Sequence, residues 1–344
     1  MLHSIETQTE TAIRKDRYSV SVEQYKQYHR DGYLKVEGLL SQADVTKLHD
    51  WAVELHKAGE HERRMAEEAS KDPLKEEFAQ QTRVHMLSRQ HATGEWALLH
   101  PRVLDVLEAL IGPDVYALQS MLFHNPPGRG GQGWHQDSYY IRTQPDSLIG
   151  AWMALEEADE DNGCLWVVPG SNHEPIYPTD PAAHSHSEGP LGDLPTVANV
   201  SHIDDEVNTL SKIVAHYPPA ISVPMKPGDI LFFHSHLFHR SYPNKTADRY
   251  RRSYVCHYCN GRSWVPWDHD GPYEGDSGNH LHILARGRTH LPFAAPKFGT
   301  EVQLSNESES ADNLPMMPND KGMMMPGASV SMMMGDPTKD GKMM

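Results

Sequence analysis

The chain has 344 residues, 38% of them hydrophobic, and a formal charge of −16. That balance argues against a nucleic-acid partner, which needs a cationic surface, and no apolar run approaches the roughly 20 residues that a membrane span requires. Cys164, Cys256 and Cys259 are the only cysteines, an odd number and too few to staple a chain of this length, so a reducing, cytoplasmic setting is expected.

In chain order, residues 1–20 form a polar N-terminal extension. Ser21 and Gln24 have capping-box spacing and predict a short helix to Arg30, stopped by Gly32. Tyr33 to Glu37 alternate like a strand. Ser41 caps a second predicted helix, with Val45, Leu48, Trp51 and Leu55 on one face. The strongly charged stretch from Lys57 to Arg83 predicts a solvated helix or a surface excursion. Pro101 to Ile111 is helical again and ends at Gly112-Pro113. Short β-type runs follow at Val115–Phe123, Leu148–Leu155, Leu165–Val168, Ala220–Met225, Ile230–His234 and Ser253–Tyr258. Helices first, then many strands without βαβ alternation, predict a mainly β fold: an antiparallel sandwich or jelly roll carrying N-terminal helices. Residues 171–217, including the His184-Ser185-His186 patch, are too long for an ordinary loop and read as a lid or insertion. Residues 21–299 are thus expected to form one catalytic domain. Residues 300–344 hold ten of the sixteen methionines and read as a disordered, Met-rich tail.

With 23 histidines in the chain, metal-binding patterns must be separated from accident. A mononuclear iron site that admits a cosubstrate and O2 needs ligands on one face only, two histidines and a carboxylate. His-X-Asp occurs at His29-Arg30-Asp31, His135-Gln136-Asp137 and His202-Ile203-Asp204. His29 lies in a predicted helix, where residues two apart diverge, and His202 lies in the predicted lid. His135 follows a Gly-rich turn just after a strand, so His135 and Asp137 are the expected ligands. For the distal histidine the segment from Pro227 to Ser241 offers His234, His236 and His239, and spacing alone leaves all three open. The single CxxC, Cys256-His257-Tyr258-Cys259, sits inside a strand pattern and is not expected to bind zinc.

These pieces, together with Ala151-Trp152, Asn162-Gly163-Cys164-Leu165, Val168-Pro169-Gly170-Ser171, Gly228-Asp229, Asn244-Lys245-Thr246 and Arg251-Arg252, resemble the phytanoyl-CoA dioxygenase family, which includes ectoine hydroxylases. The resemblance spans about Ser21 to Tyr258. It implies a double-stranded β-helix core of the cupin-like kind and an enzyme dependent on Fe(II), 2-oxoglutarate and O2 that hydroxylates a small-molecule substrate. It places the distal ligand at His239, the arginine for the far carboxylate of 2-oxoglutarate at Arg251 with Arg252 as competitor, and Gln119, Trp152 and Ser241 along the cosubstrate pocket. Related halogenases carry a small residue where Asp137 stands, so the carboxylate implies hydroxylation. Two departures bear on the substrate: Arg240 replaces the usual glycine after the distal histidine, and Phe123, His124 and Asn125 replace the family's basic or Asn-type residues. An acyl-CoA substrate, a non-catalytic binding role and a metal enzyme without 2-oxoglutarate are the rival expectations.

Overall fold

Ser21 begins the first helix as its capping box predicts: its hydroxyl accepts from Gln24 N at 3.1 Å and its own N–H donates to Gln24 Oε1 at 2.9 Å. This helix, α1 (Val22–Asp31), ends at Gly32, whose φ of +82° is the left-handed conformation that glycine tolerates. The computed structural model describes residues 14–69, 83–128, 130–178, 194–266 and 282–289. The tail 300–344 and the His184–His186 patch lie outside them, as does most of the N-terminal extension. Strand β1 (Tyr33–Val36) follows, then α2 (Gln42–Ala69), capped by Ser41 and running well into the charged stretch. After strand β2 (Arg83–His85) come two short helices, α3 (Leu87–Gln90) and α4 (Ala92–Leu98), and then α5 (Pro101–Ile111).

The strands form two antiparallel sheets that do not close on each other. β3 (Val115–Asn125), β5 (Ile149–Ala154), β8 (Ile230–His234), β10 (Arg251–Asn260) and β11 (Ile283–Arg286) join β1 and β2 in a seven-stranded sheet, in the order β1-β8-β5-β10-β3-β11 with β2 also on β3. β4 (Gln132–His135), β6 (Leu165–Val167), β7 (Ile221–Val223) and β9 (His239–Ser241) form a four-stranded sheet in the order β4-β9-β6-β7. The architecture is the jelly-roll core with N-terminal helices that the sequence predicts.

Alternation along the strands divides the large sheet into two faces. Ala151, Met153, Phe232, Tyr254 and Cys256 pack with Leu48, Leu98, Val103 and Leu107 of the helices. Trp152, Leu231, Phe233 and Val255 face the small sheet and pack with Leu165, Val167 and Val223. Residues 194–217 contribute helix α6 (Leu210–Val214) and buried Val197 and Leu210, which pack on Trp134, Val168 and Phe238. They also dock on the free edge of β4: Gly133 N donates to Ser201 O at 2.9 Å, and Ser201 N and Asn208 Nδ2 donate to Trp134 O at 3.1 and 2.9 Å. Gly133 is required there, since a Cβ would lie 1.7 Å from the His202 carbonyl oxygen.

Candidate metal and cosubstrate site

The antiparallel pairing of β4 with β9 sets His135 directly opposite His239. Each ring is pinned by its own turn: His135 Nδ1 donates to Gly133 O at 2.8 Å and His239 Nδ1 to Leu237 O at 2.9 Å. A carbonyl can only accept, so both Nδ1 atoms carry the proton and both Nε2 atoms present lone pairs to the interior. Asp137 opens a 3-10 turn, Asp137–Tyr139, and its Oδ1 lies 3.6 Å from each Nε2. The ligand atoms of the three residues lie within 4.8 Å of one another, a set that could hold one metal ion.

The turns that carry these groups are tied together. Gln136 Nε2 donates to the His236 carbonyl at 3.0 Å, Ser138 Oγ donates to Ser235 Oγ at 2.6 Å, and Ser138 N donates to Ser235 O at 3.2 Å. Burial and the neighbouring His239 push the His135 imidazole down to about 3, so it stays neutral and free to bind a cation. Burial alone would raise the Asp137 carboxyl, but His239, His257 and His135 outweigh it and hold the group below the ordinary carboxylate range.

All seven residues singled out from the sequence line one cavity of about 560 Å³: His135, Asp137, His239, Arg251, Gln119, Trp152 and Ser241. Register explains the convergence. Directly paired residues share a face, and Arg251, Ser253, Val255 and His257 of β10 stand opposite Asn125, Phe123, Met121 and Gln119 of β3. Arg251 is 2% exposed. Its guanidinium meets only neutral oxygens among the described residues: Ser253 Oγ at 3.3 Å and the Asn125 carboxamide, oriented with its oxygen inward, at 3.3 Å from Nη1 and closer to Nη2. Desolvation pushes it down to about 10, still a cation at neutral pH, and no carboxylate among the described residues balances it.

Arg252 behaves differently from expectation. It faces away from the cavity, yet it is 8% exposed rather than solvated, because Glu156 pairs with its Nη1 and the Tyr250 ring lies 4.0 Å beneath its guanidinium. His234 and His236 also leave the site. His236 pairs with Asp146 and donates from Nδ1 to Glu174 O at 2.7 Å, while His234 Nδ1 accepts from His236 N at 3.1 Å. His202 likewise spends its Nδ1 within its own loop, accepting from Asp204 N at 3.1 Å.

One residue that the sequence reading passed over stands in the site. His257 Nε2 lies 2.8 Å from Asp137 Oδ2, the oxygen turned away from the two imidazoles. Its signal was present but indirect: once Arg251 is assigned to the cavity face of β10, period-two alternation puts His257 on the same face six residues on.

The family profile described as "Phytanoyl-CoA dioxygenase (PhyH)" matches residues 28–253. The chain belongs to the phytanoyl-CoA dioxygenase family. It is 27% identical over 260 residues to the Rattus norvegicus protein described as "Phytanoyl-CoA dioxygenase, peroxisomal", covering 71% of this chain and 69% of that one. Against the "Probable phytanoyl-CoA dioxygenase" of Caenorhabditis elegans it is 29% identical over 254 residues, 70% and 76% of the two chains. Two solved structures share the fold. EctD from S. alaskensis with bound Fe is 22% identical with a TM-score of 0.52, over 74% of this chain and 82% of that one. The epimerase SnoN in complex with Fe3+, alpha ketoglutarate and nogalamycin RO is 19% identical with a TM-score of 0.53, over 80% and 95%. As a family member the protein is a 2-oxoglutarate-dependent dioxygenase, with iron as cofactor and 2-oxoglutarate and O2 as cosubstrates. No helix among the described residues is long and apolar enough to cross a membrane.

Proposed function

We propose that this dioxygenase hydroxylates an aliphatic C–H bond of a small organic metabolite, releasing succinate and CO2. The observation that carries the reading is the meeting, in one cavity, of a His–Asp–His cluster with a buried guanidinium that has no acidic partner among the described residues. His135 and His239 would each offer an Nε2 lone pair, and Asp137 one carboxylate oxygen, to ferrous iron, leaving the opposite face open. Arg251 would take the far carboxylate of 2-oxoglutarate, a planar fork meeting a planar anion, with Gln119, Trp152 and Ser241 lining its path.

Bound iron supplies the activation of O2 that no side chain here can perform. Oxidative decarboxylation of 2-oxoglutarate provides two electrons and the substrate C–H bond two more; one oxygen atom ends in succinate and the other in the new hydroxyl. The protein contributes orientation and dryness: Phe123, Trp152, Phe233 and Val255 wall the cavity. A carboxylate at Asp137, rather than a small residue that would leave room for a halide, supports hydroxylation.

An acyl-CoA 2-hydroxylase of the phytanoyl-CoA type is the second reading, favoured by the descriptions of the relatives. The cations of the cavity weigh against it. Arg240 is engaged by Asp205 at 2.7 Å and Arg251 is buried, so among the described lining residues Arg83 is the one arginine left for the phosphates of a CoA. The three cysteines are buried and free, which fits a reducing compartment, and we place the enzyme in the cytoplasm. Succinate release by iron-loaded enzyme, screened across small metabolites and acyl-CoA thioesters, tests the proposal. Turnover is expected with a small metabolite; turnover confined to thioesters would establish the second reading instead.

A further inference from the structure

Asp137 must offer a metal a single oxygen if the remaining positions are to stay open, and a carboxylate left to itself can turn to bind through both. The structure contains a restraint against that. Oδ1 faces His135 and His239 at 3.6 Å, while Oδ2 is met by His257 Nε2 at 2.8 Å. Because a carboxylate only accepts, the hydrogen must sit on Nε2 of His257.

Three features around His257 show a side chain held for this contact. It is 2% exposed on β10, which is paired on both sides: Gln119 of β3 and Gly150 of β5 are its partners. The β10–β3 register shifts between His257 and Tyr258, and such irregularities re-aim side chains beside active sites. Its Nδ1 is buried with no hydrogen-bond partner among the described residues. An unmatched buried polar atom is costly, and that cost works against the gain from the Nε2 hydrogen bond. Fold stability therefore does not account for a histidine here, whereas control of Asp137 does.

We propose that His257 is a positioning residue: by donating to Oδ2 it fixes Asp137 as a one-oxygen ligand directed at the same point as His135 and His239. The inference rests on the metal site proposed above, and its test keeps the two apart. Co(II), which reports ligand field without turning over, is titrated into metal-free protein while the melting of each apo form is followed by circular dichroism. The parent should bind and His239→Ala should not; a parent that fails to bind removes the metal site and this inference together. His257→Leu should lose about 10- to 100-fold in affinity, the usual effect of removing a partner behind a ligand. His257→Gln, whose amide N–H occupies the place of Nε2–H, should recover most of the loss and the parent absorption spectrum. If His257→Leu does not fold, His257→Phe, which keeps a ring but no donor, takes its place. Parent-like Co(II) affinity in the donor-free variant overturns the inference. So does a His257→Gln protein that melts like the parent yet binds as weakly as the donor-free variant.

Discussion

Arg251 and Arg252 are neighbours on β10 with opposite surroundings, and the contrast makes a sharp test. Arg251 lines the cavity and meets no acid among the described residues, so, on the proposed function, its alanine variant removes one half of the buried charge pair that 2-oxoglutarate would complete. Such losses are about 3–5 kcal/mol, a rise of roughly 100- to 1,000-fold or more in the apparent constant for 2-oxoglutarate. Arg252→Ala strands Glu156, whose side chain is 21% exposed, and should cost roughly 1–3 kcal/mol of stability with that constant unchanged. Titration of 2-oxoglutarate and urea unfolding of both variants check the pair. A cosubstrate defect confined to Arg252→Ala would shift the functional face of β10 by one residue. Arg251 lines the cavity, on the face that the family register implies, but the burial of Arg252 is not legible in the sequence, because Glu156 and Tyr250 reach it only through the folded sheet.

At the scale of elements, the turn between β8 and β9 sends its histidines to different tasks. Burial by itself would lower His236, but the hydrogen bond and charge of Asp146, with the Glu174 carbonyl, outweigh it and hold the imidazole above its ordinary value. Burial would likewise raise Asp146, whereas His236 and His234 hold it below the usual carboxylate range. The histidine part of this stability is fully present below about pH 6.5 and disappears as pH rises through the raised value. The carboxylate part is present above about pH 4 and disappears as pH falls through the lowered one. His236→Ala should therefore be least stable relative to the parent between those limits and approach it at high pH. The difference should be about 1 kcal/mol, discounted for screening because the Asp146 side chain is 38% exposed. Thermal melts across pH measure this. Iron-dependent turnover should persist near neutrality, and its complete loss would move the distal ligand to His236.

Which elements could be read from sequence follows from their length and pattern. α1 announces itself through Ser21, Gln24 and Gly32, and β8 through an apolar run whose limits match Ile230–His234. β2, β4, β9 and β11 have three or four residues each and no alternation of their own. They exist because distant partners set their register, as His239 does for His135. The candidate ligands on β4 and β9 are legible through their motifs rather than as strands.

For the whole molecule, helices ahead of unalternated strands were enough to foresee a jelly roll, and one ordered set of motifs was enough to foresee a His–Asp–His cluster. Less legible were the cavity walls. Arg83 comes from an edge strand and Ser201 from a segment read only as a lid or insertion, and both border the same space as Asp137. No short motif reports those walls. In the proposed function His135, Asp137 and His239 hold iron in a cavity where 2-oxoglutarate can chelate it while Arg251 secures the far end. Anaerobic titration of Fe(II)-loaded protein with 2-oxoglutarate, followed in the visible spectrum, tests it most directly. The parent should develop the charge-transfer band of a keto acid chelated to ferrous iron, and His135→Ala, Asp137→Ala and His239→Ala should not. A parent protein of confirmed iron content that shows no band would rule out this binding mode.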